Sequence, residues 1–156
     1  MKNRFLEKYR AGGKSLGTFT HLLSAPAVEA LARAGLDYVI IDIEHSPIGA
    51  EHAAELISTA SGAGLAPFVR IDEISRSPVL KMLDAGAAGL IVPQLESVEQ
   101  AEKLVSWAKF APLGNRGYCP GASTTITRRA CPATWPGPTR TPCSYPSARP
   151  PAALSI

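Results

Sequence analysis

Between Ser15 and Phe110 the chain repeats one pattern: a short apolar run, then a stretch with helical spacing of apolar residues. Four such units follow one another at intervals of roughly 22–28 residues, the spacing of βα units joined by short loops. The second run, Tyr38-Val39-Ile40-Ile41, does not alternate apolar with polar. A strand apolar on both faces needs cover on both faces, which is the condition of a parallel sheet. That leaves a barrel or a doubly wound sheet. No glycine-rich phosphate loop follows the first strand, and each strand ends in a different polar group, which favours the barrel. A full (β/α)8 barrel takes about 250 residues. The expectation is therefore an α/β fold: the N-terminal half of a TIM (β/α)8 barrel, about four βα units, preceded by a helix.

The segments follow from local signals. Asn3–Ala11 reads as an amphipathic helix with Phe5, Leu6 and Tyr9 on one side, ended by Gly12-Gly13. Ser15–Leu22, Asp37–Ile43, Ala66–Ile71 and Ala88–Pro93 are the strand candidates. Helices are expected over Pro26–Ala34, Ala50–Ala63, Ser77–Gly86 and from Ser97 to about Phe110. Pro26 and Pro78 suit first-turn positions, and Ser97 with Glu99 and Gln100 has the composition of a capped start.

Composition breaks late in the chain. All 13 Asp and Glu lie at or before Glu102, so residues 1–102 carry nine basic side chains and a net charge of −4. Residues 103–156 carry seven Lys or Arg and no acid. The overall +3 is thus a sum of two unlike segments and poor support for nucleic-acid binding. Seven of the 14 prolines fall in Thr127–Ile156, where no hydrophobic period survives. Residues 126–156 are expected to be a disordered tail, and residues 1–125 the partial barrel domain. Cys119, Cys131 and Cys143 are 12 residues apart, a spacing of no common metal or redox pattern. The first 14 residues lack the apolar stretch of a secretory signal, and no apolar run reaches the roughly 18–20 residues that span a bilayer. No membrane association and a cytoplasmic location are expected.

Chemistry concentrates where the strands end. Asp42-Ile43-Glu44-His45 closes the most apolar run with two carboxylates and an imidazole. Charged groups there are costly unless paired, hydrated or bound to a ligand. His45 can be structural or a proton-transfer group. Arg70, closing Pro67-Phe68-Val69, can pair with a neighbouring acid or clamp an anion, and both can hold together. Asp84 sits at a helix end, where the dipole disfavours negative charge, so it is expected to have a partner. His21 ends the first strand, a weaker copy of the His45 signal. Gln94 and Glu96 follow the fourth strand, Glu96 as part of a helix start. His52 and Glu55 are expected on the solvated side of their helix.

Five segments taken together resemble the HpcH/HpaI aldolase family: Asp37 to His45, Pro67 to Arg70, Leu83-Asp84-Ala85-Gly86-Ala87, Gly89 to Pro93, and Pro112-Leu113-Gly114-Asn115-Arg116-Gly117. The resemblance covers about residues 1–125. It implies a class II pyruvate aldolase related to 2,4-dihydroxyhept-2-ene-1,7-dioate and 2-keto-3-deoxy-sugar-acid aldolases. Such an enzyme cleaves a 4-hydroxy-2-oxo acid to pyruvate and an aldehyde, with Mg²⁺, Mn²⁺ or Co²⁺ as Lewis acid. It further implies that His45 is the acid/base, that Asp84 is paired with it, and that Arg70 holds the substrate and stabilises enolate charge. Homo-oligomers are the family expectation.

The family's glutamate and aspartate metal ligands lie on later strands, and nothing after Glu102 is acidic. No metal ligand is therefore expected from this chain, which would not hold the ion. The family pattern fades after Arg116-Gly117-Tyr118, and the change of composition resembles out-of-frame translation. The expectation is a truncated or frameshifted member, inactive alone, whose open sheet edges would need a partner chain. Two alternatives stand beside it: a non-catalytic fragment or interaction module, and a citrate-lyase-like enzyme that runs the same enolate chemistry on acyl-CoA esters.

Overall fold

The structure is a computed structural model, and it describes residues 4–119. The expected tail, with Cys131 and Cys143, lies outside the described residues. The order is α1 (Arg4–Arg10), β1 (Gly17–Thr20), α2 (Ala25–Arg33), β2 (Tyr38–Asp42), α3 (Ala50–Gly62), β3 (Ala66–Arg70), α4 (Arg76–Ala85), β4 (Gly89–Ile91) and α5 (Val98–Ala108). The strands form one parallel sheet in the order β1-β2-β3-β4. The order never reverses, so the sheet has no topological switch point of the doubly wound kind. Helices α2 to α5 pack each on the next, as the helices of one sector of a barrel do.

Strand alternation sorts the side chains into two layers. Val39 and Ile41 of β2, with Val69 and Ile71 from β3 and its end, are fully buried in one cluster with Val28, Leu56, Ile57, Val79 and Met82 of the helices. Each such side chain stabilises the fold by about 1.5–3 kcal/mol relative to exposure. Tyr38, Ile40 and Asp42 face the other way, in register with Ala66, Phe68 and Arg70 of β3. This second, inner face is apolar where the strands begin and charged where they end.

Helix α1 covers the beginning of the inner face. The Phe5 ring meets Tyr38 and Phe68 edge-on at centroid distances of 5.5 and 5.1 Å, and Tyr38 meets Phe68 at 5.7 Å. Two glycines make room for these rings. Gly17 pairs with Tyr38 and Gly89 with Phe68 in the sheet register. A Cβ on Gly17 would run into the Tyr38 ring, and one on Gly89 would lie 2.9 Å from the Phe68 ring. Lys8 ties α1 to the sheet through Asp37, which is only 2% exposed: Lys8 Nζ lies 2.6 Å from Asp37 Oδ1, and the Leu16 N–H donates to Oδ2 at 3.0 Å.

The elements lie where the sequence places them, with shorter edges. β1 is Gly17–Thr20 rather than Ser15–Leu22, and β4 is Gly89–Ile91 rather than Ala88–Pro93. Each pairs on one side only among the described residues, so its ends lack a second ladder. Gly86 ends α4 in the left-handed conformation, φ 106°, with its N–H donating to the Leu83 carbonyl. Ser97 caps α5 by accepting from Gln100 N at 3.2 Å, and Gln100 Oε1 accepts from Glu96 N at 2.9 Å. One expectation needs correction. His52 is not simply solvated: its Nε2 lies 2.8 Å from the Leu23 carbonyl, linking α3 to the segment after β1, while Nδ1 lies 3.2 Å from Glu55.

Candidate active site

Asp42 is the centre of the charged end of the inner face. It closes β2 directly opposite Arg70, which closes β3. Its side chain is fully buried. Arg70 donates from Nε to Oδ1 at 3.0 Å and from Nη2 to Oδ2 at 2.5 Å, a bidentate pair. The backbone N–H groups of Glu44 and His45 donate to the same Oδ1 at 3.1 and 3.3 Å, so the carboxylate also shapes the turn that carries His45. Arg70's hydrogen bonds above all, with the two backbone donors, outweigh burial and hold the Asp42 carboxyl at about 2, against an ordinary 3.8. Arg70 is correspondingly held in its charged form, chiefly by the hydrogen bond to Asp42.

The rest of the site assembles on this pair. Glu44 Oε2 lies 3.3 Å from Arg70 Nε and is mostly buried. His45, 65% exposed, has its Nε2 3.9 Å from the same Glu44 oxygen. Phe19 of β1 lies under the guanidinium, 5.0 Å from ring centroid to Cζ. His21 follows β1 one alternation beyond Phe19, and its Nε2 is 3.4 Å from Asp42 Oδ2. Gln94, after β4, is exposed and left-handed, with φ 51°.

The structure thus brings Arg70 and the His45 turn together through Asp42, and does not bring Asp84 to them within the chain. α4 runs back from the end of β3 to the beginning of β4, so Asp84, near its C-terminus, lies at the opposite end of the sheet. There it accepts from Arg116 Nη2 at 2.6 Å. That arginine is 6% exposed and packs over the Phe110 ring at 4.8 Å. The carboxylate at an unfavourable helix end does have a partner, and the partner is Arg116. Asp42's central place was hidden because it depends on a pairing across 28 residues. Its signal was the presence of opposite charges closing two successive strands.

Among the described residues no three His, Cys, Asp or Glu stand close enough to share a metal ion. Both Asp42 oxygens are engaged by Arg70, and Glu44 faces the same guanidinium. These groups do not fit the Mg²⁺, Mn²⁺ or Co²⁺ that the family resemblance implies, since such ions need several free oxygen ligands.

Residues 15–135 match the family model described as HpcH/HpaI aldolase/citrate lyase. The chain belongs to that family. Its relatives include the 2-dehydro-3,6-dideoxy-6-sulfogluconate aldolase of Pseudomonas putida, 35% identical over 78% of this chain and 46% of the relative. The hydroxypyruvate/pyruvate aldolase of Rhizorhabdus wittichii is 34% identical over 76% of this chain and 47% of its own length. Among solved structures, an HpcH/HpaI aldolase from Desulfitobacterium hafniense superposes with a TM-score of 0.73 at 34% identity, covering 86% of this chain and 51% of that one. Citrate synthase SbnG superposes equally well, at 30% identity over 83% of this chain and 52% of its own. The chain spans about half the length of the HpcH/HpaI relatives it matches. No helix among the described residues is long and apolar enough to cross a membrane.

Proposed function

We propose that the ends of β2 and β3 form the oxo-acid half of an aldolase site, one that cleaves 4-hydroxy-2-oxo acids to pyruvate and an aldehyde. The observation that carries this reading is the Asp42–Arg70 pair. Asp42 takes one edge of the guanidinium, which leaves the other edge, Nη1 and the second Nη2 proton, for a substrate carboxylate in a second bidentate contact. Because Asp42 is buried and ionised, Arg70 is held in place before substrate arrives. The same guanidinium faces the negative charge that develops on the 2-oxygen. His45 stands on the adjacent turn as the proton-transfer group. In the cleavage direction the C4 hydroxyl loses its proton, the C3–C4 bond breaks, its electron pair passes into the C2–C3 enolate, and C3 is then protonated to give pyruvate.

Asp84 can orient His45 only across two copies of the chain, because within one copy it lies at the far end of the sheet. That requirement agrees with the homo-oligomer expected of the family. The 156-residue chain is proposed to bind the oxo acid without turning it over, since metal dependence rests on carboxylates its described residues do not supply. A second reading, the same enolate chemistry applied to citrate or acyl esters, is favoured by the likeness to citrate synthase SbnG. The test is titration of pyruvate onto wild type and Arg70→Met, read by calorimetry and by the Arg70 Nε–Hε resonance. Arg70-dependent binding supports the proposal, and equal binding by both proteins overturns it.

A further inference from the structure

One polar group at this end of the sheet has no part in the chemistry above. His21 extends the β1–β2 register by one step: Phe19 pairs with Ile40 and Thr20 with Ile41, which sets His21 opposite Asp42. The distance of 3.4 Å from His21 Nε2 to Asp42 Oδ2 agrees with that placement. The inner face therefore ends in a row across four strands, His21, Asp42, Arg70 and Ile91, the last two paired between β3 and β4. The row is polar on the β1 side of Arg70 and apolar on the β4 side.

The row gives a bound substrate a direction. A 4-hydroxy-2-oxo acid held at its carboxylate by Arg70 has at C4, beside the proton that passes to His45, oxygen lone pairs that lose hydration on binding and need a new partner. On the β4 side it meets the Ile91 side chain. On the β1 side it meets an imidazole. The His21 and Arg70 backbones are two strand spacings apart, about 10 Å, and both side chains converge on Asp42. His21 is also built to serve: one ring nitrogen lies against a buried carboxylate and 64% of the side chain is exposed, so the other nitrogen is open to a ligand.

We propose that His21 is a specificity residue of the same site, one that contacts the C4 oxygen, the aldehyde-derived end of the substrate. Its Nε2 is anchored by Asp42 and its Nδ1 faces the ligand. This inference rests on the aldolase reading above, and it adds a contact that the resemblance does not assign. Asp42 then serves both ends of the substrate, since the carboxylate that holds the oxo-acid clamp on one side holds the acceptor contact on the other.

The test uses the full 156-residue chain labelled with ¹³C,¹⁵N-histidine and ¹⁵N-arginine, with His21→Ala to assign the His21 ring signals. Two probes are titrated: pyruvate, which lacks the C4 oxygen, and 4-hydroxy-2-oxopentanoate, which has it. Both should move the Arg70 Nε–Hε resonance, and only the hydroxy acid should move the His21 ring. His21→Ala should weaken the hydroxy acid about fivefold more than it weakens pyruvate, the worth of one net hydrogen bond. A silent His21 ring beside a responding Arg70 overturns the His21 assignment and leaves the aldolase reading standing. Equal movement of His21 with both probes overturns its assignment to the C4 end. An Arg70 signal silent to both probes overturns the aldolase reading and this inference with it.

Discussion

Replacing Asp42 by Asn probes the group on which both the fold's charged end and the proposed clamp depend. Folding lowers the Asp42 carboxyl from an ordinary 3.8 to about 2. That difference is worth about 2–3 kcal/mol of stability at neutral pH. Above pH 3.8 the carboxylate is ionised in the folded and unfolded chains alike, and the full stabilisation is present. Between 3.8 and 2 the unfolded chain takes up the proton first, so the contribution fades. Below 2 it is gone. Asp42→Asn removes the charge, leaves the Glu44 and His45 N–H groups an oxygen to donate to, and turns an amide donor toward Arg70, itself only 22% exposed. Urea unfolding followed by circular dichroism should show the variant less stable by about 2–3 kcal/mol at pH 7, with the gap closing as pH falls from 3.8 toward 2. Taking the difference between the two proteins cancels the titration of the other carboxylates. A gap under about 0.5 kcal/mol at pH 7, within the range of ordinary surface changes, would show that the ionised pair does not stabilise the fold. A gap that does not change with pH would show the same.

Two further predictions concern the opposite end of the sheet. Gly17→Ala drives a methyl group into the Tyr38 ring and should cost about 1–3 kcal/mol, a loss that Tyr38→Leu relieves in the double variant. Thermal melts check this, and an unchanged Tm in the single variant would show that the rings have room. Asp37→Ala removes the acceptor of the Leu16 N–H and the partner of the half-exposed Lys8 ammonium, so it should cost about 1–3 kcal/mol. A loss under about 0.5 kcal/mol on chemical denaturation would mean that this carboxylate does not stabilise the fold.

The parallel sheet was legible because Tyr38-Val39-Ile40-Ile41 cannot be half-solvated and because each apolar run is followed by helical spacing and a glycine or proline stop. The strand ends were legible as charged. Their pairing was not, since it depends on register. A shift of one residue would have put Asp42 opposite Val69 rather than Arg70 and turned the two charges to different faces. Asp84 was read as an acid that needs a partner, with His45 as that partner by resemblance; the partner it has within the chain, Arg116, sits 32 residues later in an irregular segment that no periodicity describes. The room made by Gly17 and Gly89 was equally hidden, because a glycine beside a ring across the sheet has the same sequence signature as any strand glycine.

Whether Arg70 holds a 2-oxo acid is decided by titrating pyruvate onto the 156-residue chain. A clamp built on Asp42 and Arg70 should bind it in the millimolar range, about −4 kcal/mol, move the Arg70 Nε–Hε resonance, and lose at least about tenfold in affinity in Arg70→Met. Binding that survives Arg70→Met undiminished, or no response at Arg70 at all, would mean that this strand end is not a 2-oxo-acid site.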